Sequence, residues 1–179
     1  MGISTKMPSI PSPDIWIPNQ QTGAVPTFEP RPSLANPWHL IHFRCLHDYE
    51  RVSDQFHLLG VLFEDAIAVR PSNPAFIRNL RHPAIMPTAR CKGLKLWLEQ
   101  PIRQLQVVLM GYRSVTLTTF NGEGHSTACF STPECASSAL APHPAELREQ
   151  VVTLEVSAAC LVRIDAKAPF VVTKLGLQR

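Results

Sequence analysis

The 179-residue sequence has no run of 18 or more apolar residues and none of the short motifs that carry nucleotide or hydrolytic chemistry. Without such a run we expect no membrane-spanning helix. The phosphate-binding patterns GxxxxGK and GxGxxG are missing, which argues against nucleotide hydrolysis. The GxSxG element of serine hydrolases is also missing, and Ser126 beside His125 is typical of a hairpin followed by a strand. We therefore predict that the protein is not an enzyme.

Cysteines are few, and their spacing follows no pairing pattern. The five are Cys45, Cys91, Cys129, Cys135 and Cys160. An odd number with no CxxC unit argues against a secreted disulfide framework and against a zinc ribbon. We predict reduced, mostly buried thiols. Since the first residues lead into prolines and not into an apolar signal-peptide core, we expect a cytoplasmic protein.

Charge is sparse as well. Charged residues make up 17% of the chain against 45% hydrophobic residues, and the formal net charge is +3. This composition provides enough apolar side chains for a core, and the length fits one domain with an appendage. A net charge this small does not indicate nucleic acid as a partner.

Proline is abundant, and 8 of the 17 prolines precede residue 38. Each one fixes φ and removes a backbone donor, which excludes helix and central strand. We predict a Pro-rich extended arm at residues 1–37, with Trp16 and Phe28 as anchors on a surface. A disordered tail is the alternative. The rest of the chain, residues 38–179, is predicted to be one β-sandwich domain.

Hydrophobic residues alternate with polar ones after residue 38, as in strands. The strand-like runs are residues 38–43, 57–63, 66–70, 93–99, 105–110, 115–120, 125–130, 151–156, 160–164 and 170–175. In the fourth run, Leu94, Leu96 and Leu98 share one face and Trp97 lies on the other. Nine or ten short strands favour a sandwich or barrel. The pair Asn121-Gly122 predicts a two-residue hairpin turn, and residues 144–150 predict at most two helical turns.

Three segments resemble bacterial jelly-roll domains related to carbohydrate-binding modules. The first is FRCLHDYERVSDQFHLLGVLF at 43–63, where a Phe, a Val-x-x-Gln-aromatic step and Gly-Val-x-Phe follow one another. The others are AVRPSNPAF at 68–76, similar to a strand and long loop, and GYRSVTLTTFNGEG at 111–124, similar to a central hairpin. The resemblance implies an all-β, two-sheet jelly-roll-like sandwich and carbohydrate as the inherited ligand type.

The chain departs from this group at its last strand. There the group commonly carries acidic residues that help to hold a structural calcium, whereas this chain has Lys174. Because calcium needs several oxygen ligands, we expect no calcium at that position and predict no cofactor. The cluster of His39, His42, Cys45 and His47 matches no standard zinc module. Half-exposed polar residues on an edge strand are the simpler interpretation of this cluster, with His42 facing away from the other three if the segment is extended.

Two groups of residues are the candidates for a binding surface. Residues 70–95 contain Arg70, Arg78 and Arg81 and no acidic residue, which favours an acidic protein surface or an anionic polymer. Trp97, Tyr112 and Arg113 are candidates for a sugar platform or for interface hot spots. The alternative interpretations are a solvated basic loop and aromatic side chains packed beneath the arm or between sheets.

These observations predict a non-catalytic β-sandwich binding module that recognises a glycan or another extended ligand. The alternative is an intracellular structural or linker subunit that docks on a protein complex through its Pro-rich arm and basic loop. An uncharacterised hydrolase is third.

Overall fold

The computed structural model of the chain describes residues 37–73, 76, 80, 82–134 and 147–179, and these form an all-β domain. Two short 3-10 helices, Phe43–Cys45 and His57–Leu59, interrupt the strands. All strand pairings are antiparallel. The ten strands are β1 His39–His42, β2 Arg51–Val52, β3 Val61–Glu64, β4 Ala66–Val69, β5 Ala84–Pro87, β6 Gly93–Gly111, β7 Val115–Phe120, β8 Ser126–Ser131, β9 Gln150–Ala166 and β10 Phe170–Gln178.

Two long strands, β6 and β9, belong to both layers of the domain. Their halves at 93–97 and 161–166 form the first layer, with the strand order β3-β6-β9-β7-β8. Their other halves, at 104–111 and 150–155, form the second layer, with the order β2-β4-β5-β10-β6-β9. Strand β1 also pairs with β10. The prediction of an all-β, two-layer architecture of about ten strands is therefore confirmed.

Both long strands are irregular at the point where they pass from one layer to the other. The register of β6 against β9 shifts between Trp97 and Gln104. Pro101 lies within this stretch of β6 and has no backbone donor, and Ala158 in β9 has a left-handed φ of 51°. Because such irregularities bend a strand, one continuous strand can serve two layers. The sequence predicted two separate runs in each case, at 93–99 and 105–110 and at 151–156 and 160–164, and the structure joins each pair.

The main core lies between the layers. It contains alternate residues of the first layer, such as Leu96, Leu117 and Ile164, together with Leu105 and Val172 of the second layer, all fully buried. A smaller cluster packs on the second layer and consists of Val69, Phe76, Ala84, Met110, Leu147 and Val171. Because strand side chains alternate between faces, the buried leucines of β6 leave the intervening side chains on the outer face of the first layer.

Several local predictions need correction. The run at 57–63 begins as a 3-10 helix and only its end is strand, and the strands β2 and β5 had no predicted counterpart. The hairpin between β7 and β8 exists, but its loop covers residues 121–125. Asn121 Oδ1 accepts the backbone N–H groups of Glu123 and His125, and only Gly124 in the loop has a positive φ, of 81°. A two-residue turn would instead place positive φ angles at its two central residues.

Two further predictions fail in the described part of the chain. Residues 147–149 are not helical, and β9 begins at Gln150. Of the cysteines, Cys45 and Cys129 are exposed, and Cys91 and Cys160 are half-buried. All four are free thiols, so the expectation that most thiols are buried is wrong for them. The fifth, Cys135, and residues 144–146 lie outside the described residues.

Candidate functional site

The outer face of the first layer carries the most distinctive surface of the described structure. Register places Leu62, Trp97, Leu161 and Phe120 side by side on β3, β6, β9 and β7. Trp97 is 45% exposed, and the other three are half-buried. These four residues, here called the apolar row, form a strip across four neighbouring strands.

A second row of polar side chains runs beside the apolar row, because residues two apart along a strand share one face. Register aligns Glu64, Lys95, Arg163 and Thr118 across the same four strands. These four residues are called the polar row. An apolar strip therefore lies next to a line of hydrogen-bonding groups.

Glu64 links the two rows. Its carboxylate accepts a hydrogen bond from Lys95 Nζ at 2.6 Å and another from Trp97 Nε1 at 2.9 Å. The indole is thus held in one orientation while its ring remains accessible. The hydrogen bond from Lys95, and after it the one from Trp97, lowers the pKa of Glu64. The hydrogen bond to Glu64 likewise raises the pKa of Lys95.

We predict that Glu64 titrates below the ordinary range of a glutamate, and that Lys95→Met moves its midpoint upward. Because its folded-state pKa is lowered, the stabilisation from Glu64 is present above the unfolded-state pKa and is lost as the pH falls through the folded-state pKa. Carboxylate NMR titration measures both midpoints. Lys174→Met, on the other layer, serves as the control and should leave Glu64 unchanged. Equal midpoints in the wild type and Lys95→Met would contradict this assignment.

Beyond the polar row, Asp165 on β9 lies directly over Gly93 of β6. These two residues are register partners, and Arg163 Nε contacts Asp165 Oδ2 at 2.7 Å. A Cβ atom at position 93 would collide with the Asp165 carboxylate and lie 2.6 Å from the Ile164 carbonyl oxygen. The absence of a side chain at Gly93 therefore allows the carboxylate to lie flat on the strand.

An open groove of about 980 Å³ continues from this point and is called the charged groove. Arg163 and Asp165 line one side of it. Its other charged side chains are Lys92, Arg113, Glu134 and Lys167. Arg113 Nη1 contacts Glu134 Oε2 at 3.4 Å, and both side chains are about 60% exposed. Such an exposed pair contributes little to stability, so Arg113 can exchange its partner for a ligand.

The structure brings two of the predicted site residues, Trp97 and Arg113, to the same layer. Tyr112 is instead packed edge to face on Phe76, with ring centroids 5.4 Å apart, and its hydroxyl accepts a hydrogen bond from Asn73 Nδ2 at 2.9 Å. Tyr112 is thus packed against the smaller cluster on the second layer. Arg70 is exposed and pairs with Asp48 at 3.3 Å, away from the outer face of the first layer. Arg78 and Arg81, and the arm anchors Trp16 and Phe28, lie outside the described residues.

Sequence reasoning missed most of the charged groove. Arg163 and Asp165 gave no signal by themselves, because an Arg-x-Asp pair is common on strand surfaces. Alternation within β9 did place them on the face opposite Val162 and Ile164, which are buried. Their register against β6, which the sequence does not reveal, places them beside Lys95 and Gly93 on the face that carries Trp97.

The histidine and cysteine cluster near residue 42 is not an extended segment. The 3-10 helix Phe43–Cys45 follows directly on β1, so the predicted sharing of faces by His39, Cys45 and His47 does not hold. Among the residues that the structure describes, no group of three or more His, Cys, Asp or Glu side chains could hold a metal ion. None of the helices in this part of the chain is long and apolar enough to cross a membrane.

Comparisons with solved structures match most of this chain, at low identity and with TM-scores below 0.5. A family 29 carbohydrate-binding module matches 79% of this chain and 91% of its own length, at 8% identity and a TM-score of 0.43. A cleaved adhesin domain of Lys-gingipain from Porphyromonas gingivalis matches 79% and 98% of the two chains, at 6% identity and a TM-score of 0.45. An arabinose-bound α-L-arabinofuranosidase matches 80% of this chain and 26% of its own, at 12% identity and a TM-score of 0.47.

No family model matches the sequence, and no curated protein matches it either. A family 6 carbohydrate-binding module is also among the matched structures, at 8% identity and a TM-score of 0.39. At these identities the likenesses assign the chain to no family.

Proposed function

We propose that this protein is a non-catalytic glycan-binding module whose contact surface is the outer face of the first layer. The observation that carries the proposal is Trp97, an exposed indole that Glu64 holds on the outer face of the first layer. Tryptophan is enriched among the anchors of binding surfaces, so an exposed indole held on a strand is well suited to contact a ligand.

The two rows match the two kinds of surface that a sugar presents. A pyranose ring has an apolar C–H face, which can stack on Trp97 beside Leu62 and Leu161. Its hydroxyl groups project at the ring edge, where Glu64, Lys95 and Thr118 offer acceptors and donors. Binding sites generally combine an apolar surface with a few well-placed polar groups in this way.

The carboxylates of this face support binding over hydrolysis. Glycoside hydrolysis by a carboxylate pair requires a general acid whose pKa is raised. The pKa of Glu64 is lowered by Lys95 and Trp97, and Asp165 forms an ion pair with Arg163. The ionised form of Glu64 is thus favoured, which suits hydrogen bonding to hydroxyl groups, and the Asp165 carboxylate is already paired with a guanidinium.

We expect Trp97→Ala to weaken glycan binding by about 30-fold, or about 2 kcal/mol, which is typical for the loss of an aromatic anchor. Affinity electrophoresis against soluble glucomannan, xylan, β-glucan and polygalacturonate identifies the polymer, and calorimetry then measures the loss. Trp38→Ala is the matched control, because Trp38 is 37% exposed and lies beside β1 in the second layer.

If Trp97→Ala binds the glycan as tightly as the wild type, the outer face of the first layer is not the binding surface. If no polysaccharide retards the wild type, while a stoichiometric protein partner is recovered from native lysate, the linker-subunit alternative replaces the proposal.

A further inference from the structure

The charged groove has an excess of cations. Its charged side chains are four cations, Lys92, Arg113, Arg163 and Lys167, and two anions, Glu134 and Asp165, which gives a net charge of 4 − 2 = +2. Within an open groove on a sheet face, this excess produces a local positive potential.

The two lysines supply the excess. Arg113 and Arg163 each face a carboxylate, those of Glu134 and Asp165. Lys92 and Lys167 are exposed, and neither forms an ion pair with any residue that the structure describes. The backbone N–H of Ala166 donates to the carbonyl oxygen of Lys92 at 3.2 Å, which keeps the start of β6 beside the end of β9. The two lysines therefore lie on adjacent strand ends and line the same groove.

The groove is continuous with the surface around Trp97. Trp97 and Gly93 are four positions apart in β6, which is about 13 Å along the strand. The polar row lies between them, and Arg163 belongs both to that row and to the groove. A single extended chain can therefore contact the indole at one end and the lysines at the other.

We infer that the ligand of this face is an acidic glycan, whose carboxylate or sulfate groups bind in the charged groove while a sugar ring stacks on Trp97. This inference rests on the proposed function and specifies its ligand class. Ammonium and guanidinium groups form charge-assisted hydrogen bonds with both kinds of anion. Because Lys92 and Lys167 are exposed, their contribution should decrease as the salt concentration rises.

The test compares polymers that differ in charge but share a backbone. Polygalacturonate is compared with its fully methyl-esterified form, and dextran sulfate with dextran, so that carboxylate and sulfate recognition are measured separately. The proteins are the wild type, the double variant Lys92→Glu with Lys167→Glu, Trp97→Ala, and Lys174→Glu as a charge-reversal control on the second layer. Circular dichroism and thermal melts of each variant report folding.

We expect the wild type to prefer one charged polymer over its neutral form. The double variant should lose this preference by on the order of tenfold, because two exposed charges are reversed. Lys174→Glu should retain the preference, and Trp97→Ala should lose binding to both forms.

The remaining outcomes separate the two claims. Equal binding of charged and neutral forms would overturn the acidic-glycan inference and leave the proposed function intact. A charge preference that survives in the folded double variant would overturn the assignment to this groove. If no polymer in either the neutral or the charged set binds the wild type, both claims fail.

Discussion

Phe43→Ala is expected to lower the free energy of unfolding by about 3–5 kcal/mol, the usual cost of removing a buried phenylalanine. Phe43 is 1% exposed and forms a triad with Phe56 and Phe63. The three rings meet edge to face, with centroids 5.7 Å, 6.2 Å and 5.8 Å apart. Edge-to-face contacts add to the area that such rings bury, so one truncation affects three side chains.

Urea denaturation measures the difference, and Phe130→Ala is its matched control. Phe130 lies on β8 at the end of the first layer and is 40% exposed, so its truncation should cost much less. If Phe43→Ala does not fold, Phe43→Leu gives a smaller loss with the same sign. Equal denaturation midpoints for the Phe43 and Phe130 variants would show that the triad is not part of the stabilising core.

The faces of individual strands could be predicted from the sequence because alternation is a local property. The sequence of β6 places Leu94, Leu96 and Leu98 on one face, and all three are buried. It also places Trp97 on the opposite face, where it is exposed. Alternation within one strand was therefore enough to place Trp97 on the exposed face, without knowledge of which strands pair.

The partners of Trp97 could not be predicted, because they depend on register between strands distant in sequence. Glu64 is 33 residues away and reaches the indole only because β3 pairs with β6. Lys92 and Lys167 line the same groove for the same reason, because β6 pairs with β9. The run of basic residues at 70–95 is evident in the sequence, but one of its members, Arg70, forms an ion pair with Asp48. Among the described residues of that run, Lys95 belongs to the outer face of the first layer and Lys92 to the charged groove.

Strand ends were predicted less well than strand faces. The runs at 93–99 and 105–110 were predicted as separate strands, and Pro101, which removes a ladder hydrogen bond, lies between them. The structure instead continues β6 through an irregular stretch around Pro101, where the register is already interrupted. The short strands β2 and β5 were missed because two to four residues give too little alternation to identify a strand.

Gly93→Ala is expected to lower the free energy of unfolding by about 1–3 kcal/mol, the usual cost of forcing atoms into a filled space. The added methyl group would overlap the Asp165 carboxylate and lie 2.6 Å from the Ile164 carbonyl oxygen. The backbone oxygen cannot move without disturbing the β6–β9 ladder, so part of the cost is unavoidable. Gly122→Ala is the matched control, because the nearest atom to its added methyl group, Cys160 Sγ, is 3.9 Å away.

The double variant Gly93→Ala with Asp165→Ala separates the two collisions. Removing the Asp165 side chain relieves the contact with the carboxylate and leaves only that with the Ile164 carbonyl oxygen. The loss caused by Gly93→Ala should therefore be smaller in the Asp165→Ala background than in the wild type, since neighbouring changes are not additive. If thermal or urea unfolding shows that the two losses in free energy are strictly additive, the Asp165 carboxylate does not lie against Gly93. The binding site depends on the space at Gly93, because the Asp165 carboxylate that lies there also holds Arg163 at the junction of the polar row and the charged groove.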